Sequence, residues 1–336
     1  MNNDNTMVVV DLPTFGGPES LTLGRRPIPE PGPGEVLIRV GAAGVNRPDI
    51  LQRQGRYPPP AGASDVPGLE VAGEVVAVGP EVAGWSVGQR ACALLTGGGY
   101  AQYAVAPAPQ CLPIPGALTD VEAASLPETA FTVWRNVFDL GGFQTGESVL
   151  IHGGTSGIGV MAIQMVAALG GRAVATAGGQ RKVRACLDLG AVAAADYRTE
   201  DFVEAALGAT EGRGVDIVLD MIGGDYLPRN IAAAAEGGRI VSIAFLRGAK
   251  AELDLSLVMR KRLTLTGSTL RGCTVAEKGA IARRVAAAVW PAIARGEIRP
   301  VIDSVFPFEK AAEAHRRMES SQHIGKIVLT PPGGSG

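Results

Sequence analysis

Ser148-Val-Leu-Ile-His-Gly-Gly-Thr-Ser-Gly-Ile-Gly-Val-Met-Ala-Ile-Gln-Met-Val-Ala-Ala-Leu-Gly170 decides how the chain folds. Val149, Leu150 and Ile151 form the short apolar run of a strand buried on both faces, and Ile158, Ala162, Met165, Val166 and Leu169 then recur at helical spacing. Between the two, Gly154, Gly157 and Gly159 permit a sharp turn, close backbone approach to an anion and tight packing of helix on strand. The start of the helix offers that anion N–H groups with no partner inside the helix. The spacing is G-x-x-G-x-G, with Ser156 at the usual middle glycine. Taken alone, such a turn serves any tight strand-to-helix connection. Its context narrows the reading, because strand-like runs follow at Arg172–Ala177, Val192–Asp196, Val215–Asp220, Arg239–Ala244 and Leu263–Thr269, with helix-like stretches between several of them. That alternation predicts a doubly wound parallel sheet, with the glycine turn as a dinucleotide cradle.

Outside this region the texture changes. From Met7 to about Ser125, short β-like runs (Glu35–Val40, Glu70–Val78, Ala101–Val105) are broken by Gly and Pro, which predicts a barrel-like all-β unit. After Thr269 come an amphipathic helix over Val275–Ala294, the run Val301–Phe306, a helix around Phe308–Ser320 and a final strand, Gly325–Thr330, expected to rejoin the N-terminal unit. The reading is residues 1–125 as one domain, 126–269 as the dinucleotide domain, 270–330 as a return to the first, and 331–336 as a disordered tail.

A chain of 336 residues suits two domains. Its net charge of −2 and 46% hydrophobic residues speak for a well-buried globular protein and against a nucleic-acid or membrane-surface role. The start, Met1-Asn-Asn-Asp-Asn-Thr6, lacks the basic and apolar regions of a signal peptide, and no apolar run reaches membrane-spanning length, so a cytoplasmic location is expected. Cys92, Cys111, Cys186 and Cys273 lie far apart in sequence, which fits buried thiols and neither a zinc ribbon nor a disulfide framework.

Several motifs in order resemble the medium-chain dehydrogenase/reductase superfamily, specifically its zinc-independent, zeta-crystallin-like quinone oxidoreductases. They are Pro31-Gly-Pro-Gly-Glu-Val-Leu-Ile38, Val45-Asn-Arg-Pro-Asp-Ile-Leu-Gln-Arg-Gln-Gly-Arg-Tyr-Pro-Pro-Pro60, Pro67-Gly-Leu-Glu-Val-Ala-Gly73, Leu126-Pro-Glu-Thr-Ala-Phe-Thr132, the glycine turn and Ile324-Gly-Lys-Ile-Val-Leu329. Asn46-Arg-Pro-Asp49, Gln52-Arg-Gln-Gly55 and Tyr57 look most like the branch induced by a tumour suppressor in mammals. The resemblance implies a Rossmann doubly wound parallel sheet plus a GroES-like β-barrel catalytic domain, and a homodimer paired through the edge strand Leu263–Ser268. Where zinc-dependent relatives place Cys and His ligands, this chain has Val45-Asn46 and Leu69, and its histidines are His152, His315 and His323, too few for a zinc site.

An acidic ribose clamp about 20 residues after the turn marks NAD-preferring enzymes. Here Thr176-Ala-Gly-Gly-Gln-Arg-Lys182 stands at that point, where Gly178 and Gly179 leave room and Arg181 and Lys182 bring positive charge. Tyr197 matches a family position beside the adenosine 2′-phosphate, so the expected cofactor is NADP(H). The resemblance further implies cofactor contacts at Thr132, Gly154, Thr155, Ser156, Gly157, Ile158, Gly159, Gly223, Phe245, Leu246, Ser268, Leu270 and Arg271. Asp220 reads as a hydrogen-bond acceptor at a strand end rather than a proton carrier.

With no zinc as Lewis acid, hydrogen-bond donors must orient the acceptor, and Asn46 and Tyr57 occupy the matching pocket positions. Leu51 replaces a second pocket tyrosine of some relatives and makes the pocket more apolar. The expected substrate is a small-molecule quinone, reduced by hydride or electron transfer. Two alternatives stand beside it: a reductase of enone or enoyl-thioester double bonds, and a protein that binds NADPH for a structural or regulatory purpose.

Overall fold

The computed structural model describes residues 5–116 and 118–333. By its internal contacts the chain divides into two units, one of Met1–Glu128, Arg271–Ala294 and Pro300–Gly336, the other of Thr129–Leu270 with Arg295–Arg299. Of the expected tail, residues 334–336 lie outside the described residues.

The second unit holds a six-stranded, all-parallel sheet in the spatial order Ala193–Asp196, Arg172–Ala177, Ser148–Ile151, Val215–Asp220, Ala234–Ser242, Thr264–Gly267. The chain enters at the middle strand Ser148–Ile151, steps outward one way, then crosses to Val215–Asp220 and steps outward the other way. The two central strands therefore flank the point where strand order reverses, and ligands of such sheets bind beyond the carboxyl ends there. Ser148–Ile151 is buried throughout, as its unbroken apolar run requires. The helix Gly157–Ala168 buries Val160, Met161, Ile163 and Gln164 as well as Ala162, Met165 and Val166 of its expected face, while Ile158 and Leu169 at its two ends are only partly buried. One strand starts five residues earlier than anticipated, at Ala234 rather than Arg239. Glu236-Gly237-Gly238 reads as a turn, but it forms an irregularity in a continuous strand, with Gly237 at φ 72°.

In the first unit, Glu35–Val45 is the organising strand. It pairs with Glu70–Val78 along its length, with Tyr103–Pro107 through Glu35–Arg39, and with the last strand, Lys326–Thr330, through Ala43–Val45. One long strand changing partners in this way curls the sheet into a barrel-like shape around Val36, Ile38, Val71, Tyr100, Phe308 and Ile327. The return of the C-terminus to the first unit thus rests on an antiparallel ladder. The expected helix over Val275–Ala294 is broken into Val275–Ala288 and Trp290–Ala294. Pro291 has no N–H to donate and its ring crowds the preceding turn. Among the described residues no helix is long and apolar enough to cross a membrane.

Candidate functional site

At the carboxyl end of Ser148–Ile151 the chain turns through Gly153 and Gly154 into the helix Gly157–Ala168, whose N-cap Ser156 accepts from the Gly159 amide at 3.0 Å. That bond leaves the Gly157 and Ile158 amides at an open helix start, on residues that are partly exposed. A Cβ on Gly159 would collide with the Gly153 carbonyl oxygen, so a side chain here would push the helix off the turn. Gly154 is buried, and a Cβ on it would meet Cys186 Sγ at 2.7 Å; its smallness serves packing on the sheet. Thr155 is buried too, so the exposed rim of the cradle is Gly153, Ser156, Gly157 and Ile158.

One strand further out, Arg172–Ala177 ends at Gly178 and Gly179, and the helix Gln180–Asp188 begins with no side chain capping it. Tyr197 lies over this turn, its hydroxyl oxygen 2.7 Å from where a Gly178 Cβ would be, and Arg198 Nε is 3.2 Å from the same point. Arg198 is exposed, as is Tyr197 at 44%. Lys182 stands in the first turn of the helix and its charge pulls down the Cys186 thiol pKa, although burial dominates and pushes that pKa up to about 12. An uncapped helix start, a guanidinium, an ammonium and a phenol thus gather around a turn with no side chain, an arrangement suited to a phosphate monoester. Sequence reasoning missed Arg198, although it directly follows Tyr197.

The remaining residues of this unit fall into two groups. Ile222 and Gly223 donate backbone N–H bonds to Asp220 Oδ1 at 2.7 and 3.1 Å, which makes Asp220 a turn acceptor. Gly223, at φ 67°, passes under the Phe245 loop, where Phe245 and Leu246 are each more than half exposed. Asn136, also not anticipated, is buried and links Thr132, whose carbonyl accepts its Nδ2 at 2.8 Å, to Ser268, whose hydroxyl donates to its Oδ1 at 2.9 Å. Thr132 and Leu270 are both buried. His152 bonds Thr176 and Asn230 and packs against Phe202 and Tyr226; burial lowers its pKa and keeps it neutral. The exposed turn amides and the glycine-lined approaches fit a dinucleotide with its pyrophosphate on Gly157 and Ile158.

In the first unit the sequence candidates sit in a buried polar network. Lys326 Nζ donates to Glu70 Oε1 and Asn46 Oδ1, both at 2.6 Å, and to the Val45 carbonyl at 3.1 Å. Asn46 Nδ2 donates to Glu70 at 2.9 Å and the Gly44 carbonyl at 3.4 Å, while Asp49 accepts from the Asn46 and Gly68 amides and from the Tyr100 hydroxyl. Burial pushes the Asp49 carboxyl up to about 6 and holds His315 down to about 3. The Asn46 amide thus ties Glu70 to Lys326 within this network.

Arg271 also finds its partners within the first unit. It is buried in the first unit, where its guanidinium donates to the Thr96 carbonyl (2.9 Å), the Tyr57 carbonyl (3.3 Å) and Gln52 Oε1 (2.8 Å), with the Tyr57 ring 5.3 Å away. It clamps the Tyr57 loop. Tyr57 is partly exposed, its hydroxyl has no hydrogen-bond partner among the described residues, and burial raises its pKa, so it remains an O–H donor. The zinc-ligand positions hold Val45 and Leu69, both in the apolar core, and Asn46. Among the described residues no three His, Cys, Asp or Glu side chains converge as metal ligands.

Residues 32–116 match the alcohol dehydrogenase GroES-like domain family, and residues 189–329 the family described as zinc-binding dehydrogenase. The human synaptic vesicle membrane protein VAT-1 homolog is 32% identical, covering 95% of this chain and 85% of its own. A quinone oxidoreductase of Lama guanicoe is 32% identical over 96% of this chain and 97% of its own. A phenolphthiocerol/phthiocerol polyketide synthase of Mycobacterium tuberculosis is 33% identical over 89% of this chain, which spans 14% of that larger protein. Among solved structures, mycobacterial Rv1454c complexed with NADPH superposes with a TM-score of 0.85 at 29% identity over 97% of this chain and all of that one. A structure titled NAD-dependent alcohol dehydrogenase has a TM-score of 0.85 at 32% identity over 96% of this chain and 99% of that one.

Proposed function

Because the chain belongs to the medium-chain dehydrogenase/reductase superfamily and is similar to its quinone oxidoreductases along most of its length, we propose that it reduces quinones with NADPH and without zinc. Oxidoreduction with a nicotinamide cofactor is the family's chemistry; the quinone, NADPH and the metal-free route are proposals for this chain. The observation that carries them is the chemistry of the superfamily's zinc positions, where two core hydrocarbons and an amide already bonded to Glu70 and Lys326 supply no metal ligand. Polarisation of the acceptor then falls to hydrogen bonds. A quinone is electron-poor in itself and needs little more than positioning.

When bound, NADPH supplies the hydride from its nicotinamide C4. Gly157 and Ile158 would hold its pyrophosphate on their amides, and Tyr197, Arg198 and Lys182 would hold its 2′-phosphate. Tyr57, fixed by Arg271 through its carbonyl and its ring, donates its hydroxyl to the acceptor oxygen. Following NADPH oxidation against quinones, simple enones and acyl-thioester enones, with a chelator present throughout, tests this directly; quinone turnover that survives chelation is the expected result. Turnover confined to enones or acyl thioesters would select the double-bond reductase instead, a reading favoured by the similarity to a polyketide synthase.

Tyr57→Phe removes one neutral hydrogen bond, expected to be worth about 0.5–1.5 kcal/mol, so kcat/KM on quinones falls by roughly tenfold at most with NADPH affinity unchanged. Abolished turnover would make Tyr57 an obligatory acid and contradict its assignment as an orienting donor. A two-fold homodimer is also proposed, supported by the edge position of Thr264–Gly267 and the exposure of Leu265 at 40%. Light scattering at micromolar concentration should return twice the chain mass, and monomer mass alone would refute it.

A further inference from the structure

His152 follows directly on the strand Ser148–Ile151, has no solvent exposure and is used by nothing in the reaction proposed above. Its ring stands edge-on to Phe202 and Tyr226, with centroids 4.9 and 5.1 Å away, which leaves its two nitrogens to two partners. Nε2 lies 2.7 Å from Asn230 Oδ1, and Nδ1 lies 3.0 Å from Thr176 Oγ1. Burial keeps the ring neutral, with a single N–H, and the Asn230 oxygen can only accept, so that proton sits on Nε2. Nδ1 is then an acceptor, and the Thr176 hydroxyl donates to it. Thr176 in turn holds both peptide planes that flank Gly153. Its Oγ1 accepts the Gly153 N–H at 3.3 Å, and its carbonyl accepts the Gly154 N–H at 2.8 Å. The Gly153 carbonyl accepts the Ser156 N–H at 2.8 Å and so fixes the next step of the turn. Gly153 stands at φ 63°, where the lack of a Cβ leaves a broad range of backbone angles open, so bonds from outside rather than its own sterics set its conformation. A Thr176 hydroxyl aimed at Nδ1 presents its lone pair to the Gly153 amide; without that acceptor it is free to turn away. All of these residues belong to the second unit.

We infer that His152 is a positioning residue for the dinucleotide: through the Thr176 hydroxyl it sets the angles of Gly153 and thereby aims the Gly157 and Ile158 amides at the pyrophosphate. The inference rests on the nicotinamide-cofactor reading above and needs no residue of the first unit. Because NADPH and NADH share the pyrophosphate, loss of this positioning weakens both alike. Loss of Lys182 and Arg198 differs, since it acts on the 2′-phosphate alone.

Calorimetric titration of the full chain with NADPH and with NADH, together with urea unfolding of each variant, tests it. His152→Phe fills the space beside Phe202 and Tyr226 without either nitrogen and should weaken both cofactors by about tenfold. Two further variants separate the two nitrogens. The short amide of His152→Asn places its oxygen near the former Nδ1 and accepts from Thr176, so both Kd values should stay within about threefold of wild type, while the lost Asn230 bond lowers the urea midpoint. The longer amide of His152→Gln reaches Asn230 instead. It should bind both cofactors as weakly as His152→Phe while unfolding at a higher midpoint than His152→Asn. Thr176→Val removes the hydroxyl without touching the ring and should also cost about tenfold, with no further loss when combined with His152→Phe. A merely structural histidine gives a different order, with affinity following the urea midpoint from variant to variant, and that result overturns the inference. So does a Thr176→Val protein that binds both cofactors within about twofold of wild type, whatever becomes of the His152 variants. A loss confined to NADPH places the effect at the Gly178 turn and overturns it as well. A wild type that binds neither NADPH nor NADH overturns the nicotinamide reading together with this one.

Discussion

Lys326→Met should unfold about 3–5 kcal/mol more easily than the wild type, read as a lower urea midpoint at unchanged slope. Glu70 has no solvent exposure, and Lys326, at 3%, is the cation on its Oε1. Removing that ammonium leaves a carboxylate buried with only amides to stabilise it, and also deprives Asn46 Oδ1 and the Val45 carbonyl of their donor. Glu70→Gln should cost a similar amount by stranding the ammonium instead. The double variant Glu70→Gln, Lys326→Met removes both charges and should recover much of the loss, giving a coupling energy that identifies the pair. A Lys326→Met protein within about 1 kcal/mol of wild type would show that the pair does not hold Glu70 in place.

Replacing both Lys182 and Arg198 by Ala should weaken NADPH binding about a hundredfold and leave NADH within about twofold, as measured by calorimetric titration. Each charge-assisted phosphate contact is worth about 1.5–3 kcal/mol, and the lower end applies because Arg198 is exposed and Lys182 only half-buried. About tenfold per residue follows, with the effect shrinking as salt rises. Tyr197, packed over Gly178, keeps the site shaped for the adenosine in the double variant and so spares NADH. A wild type that binds NADH as tightly as NADPH would remove the basis for assigning this turn to a 2′-phosphate.

How much was legible follows from which signals are local. The parallel sheet could be read in advance because strands buried on both faces are largely apolar runs, and three of them, Ser148–Ile151, Arg172–Ala177 and Val215–Asp220, are written that way in the chain. Boundaries went astray where a local signal conflicts with the tertiary pairing. Glu236-Gly237-Gly238 looks like a turn yet stays in its strand, and Pro291 divides a helix whose apolar spacing continues through it. Arg198 escaped notice because its relevance comes from the adjacent strand end that brings it over Gly178.

The sequence by itself determined the doubly wound sheet, the glycine cradle and the absence of an acidic residue about 20 positions after it, since each depends on residue type at short spacing. Only the tertiary structure decided which polar groups of the first unit meet. Asn46, Glu70, Glu128 and Lys326 are spread over some 280 residues, and nothing in their separate neighbourhoods says that they meet. The antiparallel ladder between Ala43–Val45 and the last strand brings Lys326 to Asn46 and Glu70, and the Glu128 amide then docks on the same carboxylate. Burial makes that meeting consequential: in a medium that solvates charge poorly, the Lys326 ammonium and the Glu70 carboxylate depend on each other and on Asn46 for their hydrogen bonds.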